Sequence, residues 1–337
     1  FGHVVTLRSG TQVPQLGFGT FLLKAGGDCK SAVRCALETG YRLIDTAALY
    51  QNEADVGEAL ASSGIPREQV FVVTKLQPLD HHGEKGSSGD KVELALRTSL
   101  EKLNVSSVDL YLVHNPKGGN IIEVWKSMLR VRDLGLAKAV GVSNFGIPHL
   151  QGLKNAGLEM PEVNQIELHC WWQQHEIVKF HEEEGIVTMA YSPLARGQRF
   201  SAAGKSVLAQ IATSHSKTEA ATAIRWALQS GHIVIPKSRQ EERIRENFGA
   251  LSSPEFELTA KDMEKIKALN ENFRSMAGSS SCMELSWEEI KGPLSPEVLN
   301  ATAMLRKMVG RRRMTRPSPT SPSQDDAAKR SSLEATK

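Results

Sequence analysis

Asp45 and Tyr50 stand five residues apart, at the end of one short apolar run, YRLID, and in the segment after it. Lys75 closes the next such run, VFVVTK, and His114 the one after, VDLYLVH. An acid, a phenol, an ammonium and an imidazole on three neighbouring strands make a proton-donating set. A phenol alone is a poor acid near neutrality, with a reference pKa of about 10. A nearby ammonium favours the phenolate and is expected to lower that value. Asp45 is expected to pair with Lys75 and keep it charged, and His114 to hydrogen-bond a carbonyl oxygen and fix its position. Such a set suits carbonyl reduction, with hydride added to carbon and Tyr50 protonating the developing alkoxide. No side chain supplies hydride, so a bound cofactor must. Taken singly, Asp45 also reads as a helix cap and Lys75 as a Schiff-base lysine; the combination sets those readings aside.

The elements that must position these residues follow one rhythm. Ser143 and Asn144 end AVGVSN, Gln165 lies in PEVNQIEL, Tyr191 and Ser192 end IVTMAYS, and Lys237 and Ser238 end IVIPKS. A helix-like segment follows each run. Counting LGFGT first gives eight strands, and short apolar β-branched runs of this kind build a parallel sheet buried on both faces. Eight βα units match the α/β class known as the (β/α)8 TIM barrel, whose chemistry sits at the C-terminal strand ends. A doubly wound sheet would need a glycine-rich fingerprint after an early strand, and GFGTFLLKAGG lacks the GxGxxG spacing. VVTLRSGTQVPQ reads as an N-terminal β-hairpin turning at Ser9-Gly10. Gly40, Gly135, Gly157, Gly185 and Gly231 fall where helices should end. Residues 1–290 form the expected barrel domain. Residues 291–337 form a C-terminal extension, with one short helix in SPEVLNATAMLRKMVGRRRM and then a disordered, basic Pro/Ser-rich tail.

The net charge of +3 divides into +6 for residues 291–337 and −3 for the rest. A mildly acidic body whose basic residues lack interleaved aromatics speaks against nucleic-acid binding. No apolar run nears the roughly 18 residues of a membrane span, and no signal peptide is evident. Cytoplasmic residence is the expectation. Cys29, Cys35, Cys170 and Cys282 lack metal-ligand spacing and read as reduced thiols, so no metal site is expected. Because the sequence starts at Phe1, its natural beginning is expected to lie upstream.

The chain resembles the aldo-keto reductases from about Val4 to Arg274. The resemblance rests on LGFGT, GYRLIDTAALYQNE, FVVTKL, DLYLVHNP, GVSNF, VNQIELH, AYSPL and IPKSRQEERIRENF, in this order and spacing. It implies a catalytic tetrad of Asp45, Tyr50, Lys75 and His114. It also implies that Ser143, Asn144 and Gln165 hold the nicotinamide carboxamide, and that Tyr191 stacks on the ring. Ser192 and Leu194 would line the pyrophosphate path. Lys237, Ser238 and Arg243 would take the 2′-phosphate, with Glu246 and Asn247 near the adenine. A dianionic phosphate wants such cations beside helix N-terminal amides, which makes NADPH the expected cofactor. The resemblance further implies a monomer that binds cofactor before carbonyl.

Departures from the family pattern cluster near the expected substrate mouth. Asn115 replaces a common aromatic, Phe21 stands where tryptophan is frequent, and Gln77 likewise. With His114, Phe21 and Asn115 are the expected substrate contacts. The loop NPKGGN is short, which implies an open mouth and broad activity on small aldehydes. Trp171 and Trp172 read either as an edge of the substrate site or as packing between helices, and Cys282 as a candidate pocket residue. The other histidines, His3, His81, His82, His149, His169, His175, His181, His215 and His232, are expected on the surface or in loops. Two other functions stay open at this point: a cofactor-binding regulatory barrel without turnover, and a dedicated prostaglandin or lipid-carbonyl reductase.

Overall fold

Strand sequences such as FVVTKL and VDLYLV bury every residue because they face apolar neighbours on both sides. In the computed structural model, which describes residues 3–77, 88–200, 206–252, 255–276 and 281–291, these are β5 (Phe71–Leu76) and β6 (Val108–Val113), fully buried throughout. Side chains alternate along each strand. Phe71, Val73, Leu110 and Leu112 point into one apolar cluster, while Val72, Leu76, Tyr111 and Val113 join another. The first fills the barrel; the second lies between sheet and helices.

Eight strands run parallel in the order of the chain: β3 (Phe18–Gly19), β4 (Leu43–Asp45), β5, β6, β7 (Ala137–Ser143), β8 (Val163–Glu167), β9 (Val187–Tyr191) and β10 (Ile233–Ile235). Hydrogen bonds from Gly17 and Gly19 to the carbonyls of Val234 and Pro236, and from Val234 to that of Gln15, join the last strand to the first. The sheet thereby closes into the expected barrel. The antiparallel hairpin β1 (Val4–Thr6) and β2 (Gln12–Pro14) also forms as expected, and its Leu7 and Val13 enter the inner cluster.

The strands alternate with α1 (Asp28–Thr39), α2 (Glu53–Ala61), α3 (Ser88–Leu103), α4 (Ile121–Asp133), α5 (Ile147–Asn155), α6 (His175–Glu183), α7 (Val207–Ser214), α8 (Glu219–Gln229) and α9 (Glu241–Ser252). The five expected cap glycines all adopt positive φ, from 65° to 122°. The stretch before β10 holds two helices, because Ser206 and Thr218 each cap a separate start by accepting from the amide three residues on. Then come α10 (Ala260–Lys267), capped by Thr259 and Asp262, a 3-10 turn at Ser281–Glu284, and a short helix α11 (Trp287–Lys291). The expected extension helix and tail lie outside the described residues, as do His81 and His82.

The histidine expectation needs correction. It fails for His149 and His181, which are buried within α5 and α6, whereas His169 and His232 lie in loops as expected but are buried there. His181 shares the inner face of α6 with Ile177, four residues earlier, and a ring with two polar atoms is accepted there because both find partners. Asn164 donates to its Nε2 at 3.0 Å, and its Nδ1 donates to the Thr188 hydroxyl at 2.8 Å.

Candidate active site at the C-terminal mouth of the barrel

β4 ends on Asp45, β5 carries Lys75 one residue before its end, and His114 directly follows β6. Parallel pairing sets Asp45 beside Val73 and Lys75 beside Leu112, so the three strands bring these residues to one end of the barrel. Tyr50 closes a 3-10 turn, Ala48–Tyr50, that follows β4. Asn52 shapes that turn. Its amide donates to the carbonyls of Thr20 and Leu23, and its oxygen accepts from the Thr46 hydroxyl at 2.8 Å.

Lys75 is fully buried and its Nζ is completely engaged. It reaches both Asp45 carboxylate oxygens at 2.7 Å, the Thr46 carbonyl at 2.9 Å and the Tyr50 hydroxyl oxygen at 3.3 Å. An ammonium has three hydrogens, so the carboxylate shares one, Thr46 takes one, and the third points at Tyr50. The Tyr50 oxygen then accepts, and its own proton is left to donate. Burial lowers the Lys75 ammonium from its usual value, with the charge of Asp45 opposing that shift. The Tyr50 phenol is pushed well above 10, by burial first and then by the charges of Asp45 and Tyr191. The sequence pointed to the opposite direction. In this site desolvation of the phenolate outweighs the attraction of one ammonium already neutralised by Asp45.

His114 stands edge-on to Tyr50, ring centroids 5.6 Å apart, and Phe21 lies 5.1 Å from the same phenol ring. Burial, helped by the charge of Lys75, pushes the imidazole down to about 3. His114 is therefore neutral at any ordinary pH. Its Nδ1 is buried without a hydrogen-bond partner among the described residues.

The residues expected around a cofactor join the same network. Gln165 donates through Nε2 to Asp45 Oδ2 at 2.8 Å, spanning the barrel from β8 to β4. Ser143 donates to the Gln165 carbonyl at 2.8 Å. Asn144, in the left-handed region at φ 60°, donates to the His114 carbonyl and accepts from the Tyr191 hydroxyl at 2.8 Å. Left-handed backbone recurs at Ser192, just after β9, and Leu194 packs against the outer cluster. Lys237, Ser238, Arg243, Glu246 and Asn247 stand between the end of β10 and the first two turns of α9. Ser238 accepts from the Gln240 amide at 3.1 Å, Glu246 accepts from Thr218, and Asn247 is buried. Lys237, Arg239 and Arg243 form no ion pair among the described residues, and Lys237 is depressed by burial and then by the charges of Arg196 and Arg239. An unpaired cluster of cations fits a phosphate group.

Three features of the mouth escaped sequence reading. Glu53, in the NE that follows Tyr50, is fully buried and accepts from the Thr74 hydroxyl at 2.6 Å. Glu167, at the end of β8, is equally buried and accepts from the Ser275 hydroxyl and amide and from the Met276 amide. Trp171 and Trp172 are buried beneath the same segment. The Trp171 carbonyl accepts from the amides of Glu271 and Phe273, and Arg274 lies over the Trp172 ring. Of the two readings for this pair, packing fits their place. Asn115 is spent on its own turn, accepting from the Lys117 amide at 3.0 Å.

The third feature is a latch. The short loop after β6 is covered by the C-terminal turn, where buried Cys282 hydrogen-bonds Lys117 and lies close enough to Tyr191 to affect its phenol. One face of α5 and the residue before it hold this segment. A Cβ on Gly146 would come within 2.3 Å of the Met283 carbonyl, and one on Gly152 within 2.1 Å of the Trp287 ring. Between them His149 accepts from the Gly146 amide through Nδ1 and donates through Nε2 to the Leu285 carbonyl at 2.5 Å. Gly152→Ala should therefore expel Trp287 while raising the helix propensity of α5 by about 1 kcal/mol. The expected result is faster tryptic cleavage at Arg274 and a several-fold higher KM, with the barrel's melting temperature not lowered. Unchanged cleavage and KM would remove the latch.

The sequence profile of the Aldo/keto reductase family matches residues 15–271. The chain is 38% identical to a glyoxal reductase of Bacillus subtilis, over 80% of its length and 94% of that protein. It is 39% identical to a 9,11-endoperoxide prostaglandin H2 reductase of Trypanosoma cruzi, over 81% and 93%. Among solved structures, a Bombyx mori aldo-keto reductase in complex with NADP superposes with a TM-score of 0.75 at 33% identity, covering 83% of this chain and 96% of that one.

Proposed function

The chain belongs to the Aldo/keto reductase family and is an NADP-dependent carbonyl reductase; from that premise we propose that Tyr50 is its general acid and small aldehydes its main substrates. The observation that carries the assignment is the set of bonds on Lys75 Nζ. Because the ammonium donates to the Tyr50 oxygen, the phenolic proton is free to move toward the mouth. The raised phenol keeps that proton until an alkoxide, a far stronger base, forms beside it. Asp45 fixes the ammonium, and the charge of Lys75 then stabilises the phenolate left behind.

His114 positions the carbonyl. An orphaned buried N–H costs more than an orphaned acceptor, so its proton belongs on Nε2 and Nδ1 is left bare. Nε2–H then offers one neutral donor to a carbonyl oxygen. NADPH, when bound, supplies the hydride. Ser143, Asn144 and Gln165 would hold its carboxamide and Tyr191 its ring, with Ser192 and Leu194 along the pyrophosphate. Lys237, Ser238 and Arg243 would take the 2′-phosphate, with Glu246 and Asn247 at the adenine. Phe21 and Asn115 border the substrate, and replacing aromatics with Gln77 and Asn115 suits small polar carbonyls. The glyoxal reductase likeness supports that class. The trypanosomal likeness favours a second reading, an endoperoxide or lipid carbonyl. We place the activity in a cytoplasmic monomer. Among the described residues no helix is long and apolar enough to cross a membrane, and all four cysteines are free thiols.

An NADPH-oxidation screen over small aldehydes, sugars, quinones and keto-lipids tests this reading, repeated with Tyr50→Phe. The expected loss in kcat is about 10²–10⁴-fold, the usual contribution of a positioned general acid, with NADPH affinity retained. Full turnover by Tyr50→Phe would end the proposal, and a strong preference for a keto-lipid would replace small aldehydes with the second reading.

A further inference from the structure

Glu53 is a fully buried carboxylate that the proposed reaction does not use. It sits in the first turn of α2, over the outer face of β5, where its Oε1 accepts from Thr74. Thr74 directly precedes Lys75, whose side chain points to the opposite, inner face. Glu53 Oε2 is buried with no hydrogen-bond partner among the described residues, and the nearest cation, half-exposed Lys102, stands 3.9 Å away. A buried carboxylate with a bare oxygen is costly. A purely structural link to Thr74 would be served as well by an uncharged amide of the same shape. What the carboxylate adds is negative charge, next to a strand that carries a buried ammonium.

We propose that Glu53 is a positioning residue of the proton-donating site, a second carboxylate that holds Lys75 as an ammonium from across the sheet. The inference rests on the reading that Lys75 and Tyr50 deliver the proton. Lys75 is faced by Asp45 from β4, Tyr50 from the 3-10 turn, His114 after β6 and Glu53 from α2. Gln165 of β8 acts on it through Asp45, Tyr191 of β9 through Tyr50, and Lys102 of α3 through Glu53. Of these, Asp45 and Glu53 raise its proton affinity, against the burial that lowers it. Lys75 is pushed down and Tyr50 up, so the first proton the pair loses as pH rises is that of Lys75. Charges act strongly across a desolvated strand, and this one sets where turnover fails on the alkaline side.

The test is the pH profile of kcat for Glu53→Gln, which keeps the volume and the acceptor for Thr74 while removing the charge. The alkaline limb should move down by about one pH unit, with KM and NADPH affinity at pH 7 unchanged within about twofold, and Glu53→Asp should restore most of the shift. Lys102→Gln frees Glu53 of its partial counter-charge and should move the limb the opposite way. That half-exposed site keeps the test open if Glu53→Gln does not accumulate. A limb coincident with the wild type in the variants measured, even with altered stability, overturns the inference. Tyr50→Phe in parallel separates the two levels: a fully active Tyr50→Phe sinks the proton-donor reading itself, whereas an inactive one with an unmoved Glu53→Gln limb sinks only the role of Glu53.

Discussion

At pH 5 the protein should be less stable than at pH 7.5 by about 6 kcal/mol. Three imidazoles carry this effect. Burial, the leading cause in each case, pushes His114 and His181 down to about 3 and His232 to about 4, with further depression from Lys75 on His114 and from His232 on His181. The sign follows from proton counting. Unfolded, each ring takes a proton below about 6.5; folded, none does until pH 3–4. Stability is therefore fully present above pH 6.5 and is lost as pH falls through the window down to the folded values. At pH 5 each ring costs about 2 kcal/mol, and three together reach the range of a domain's whole stability. His149 is shifted in the same direction, by burial against its bond to Leu285. For His181 the structure shows why protonation is refused: Nε2 must stay bare to accept from Asn164. Urea unfolding at the two pH values measures the difference, and His181→Asn should flatten it by about a third. Equal midpoints at both pH values would mean that the rings are accessible to protons in the native state.

Replacing Lys75 by Met should destabilise the fold by about 3–5 kcal/mol and lower kcat by about 10³-fold. The first figure is the usual cost of stripping one partner from a buried ion pair; the second is within the reach of a lost proton donor. Asp45 is 2% exposed, and without Nζ only Gln165 remains on its carboxylate among the described residues. Two losses with different causes should separate in a double variant. Lys75→Met with Asp45→Asn removes both charges, so most of the stability should return while turnover stays lost. The coupling energy from that cycle is the pair's own interaction. A single variant as stable as the wild type would show that the Asp45–Lys75 pair adds nothing net to the stability of the fold.

The barrel was legible because parallel strands buried on both faces read as short, mostly apolar runs. Asp45, Lys75, His114, Ser143, Gln165 and Tyr191 fall within about two residues of the C-terminal ends of successive strands, and that coincidence marked one rim. Less visible were polar groups whose reason lies in distant chain. Glu167 is buried because Ser275 and Met276 arrive 108 and 109 residues later to bond it. His149 is buried because Leu285 does the same. Single-sequence periodicity has no term for such partners, so between Arg274 and Lys291 only Cys282 stood out as a candidate contact. The segment's signal was the spacing of Gly146, His149 and Gly152, three residues apart on one helical face, which reads as docking only once Trp287 is seen against it. The phenol's shift was misjudged for a related reason: adjacency to Lys75 is written in the motif, whereas desolvation belongs to the assembled mouth.

Gln165 crosses the lumen to touch Asp45, and that single amide makes two equilibria into one. Its donor hydrogens are committed, to Asp45 and to the Met189 sulfur, so anything that binds it must use the oxygen. An occupant that drew on that oxygen would pull on the same amide that donates to Asp45, the carboxylate that holds Lys75. Thermodynamic reciprocity then allows no one-way traffic: the factor by which an occupant changes the retention of the lysine proton is the factor by which that proton changes the occupant's affinity. On the proposed reading that Gln165 holds the nicotinamide carboxamide, the interior of the barrel would act as a balance beam, with solvent acidity on one arm and occupancy of the hydride-donor site on the other.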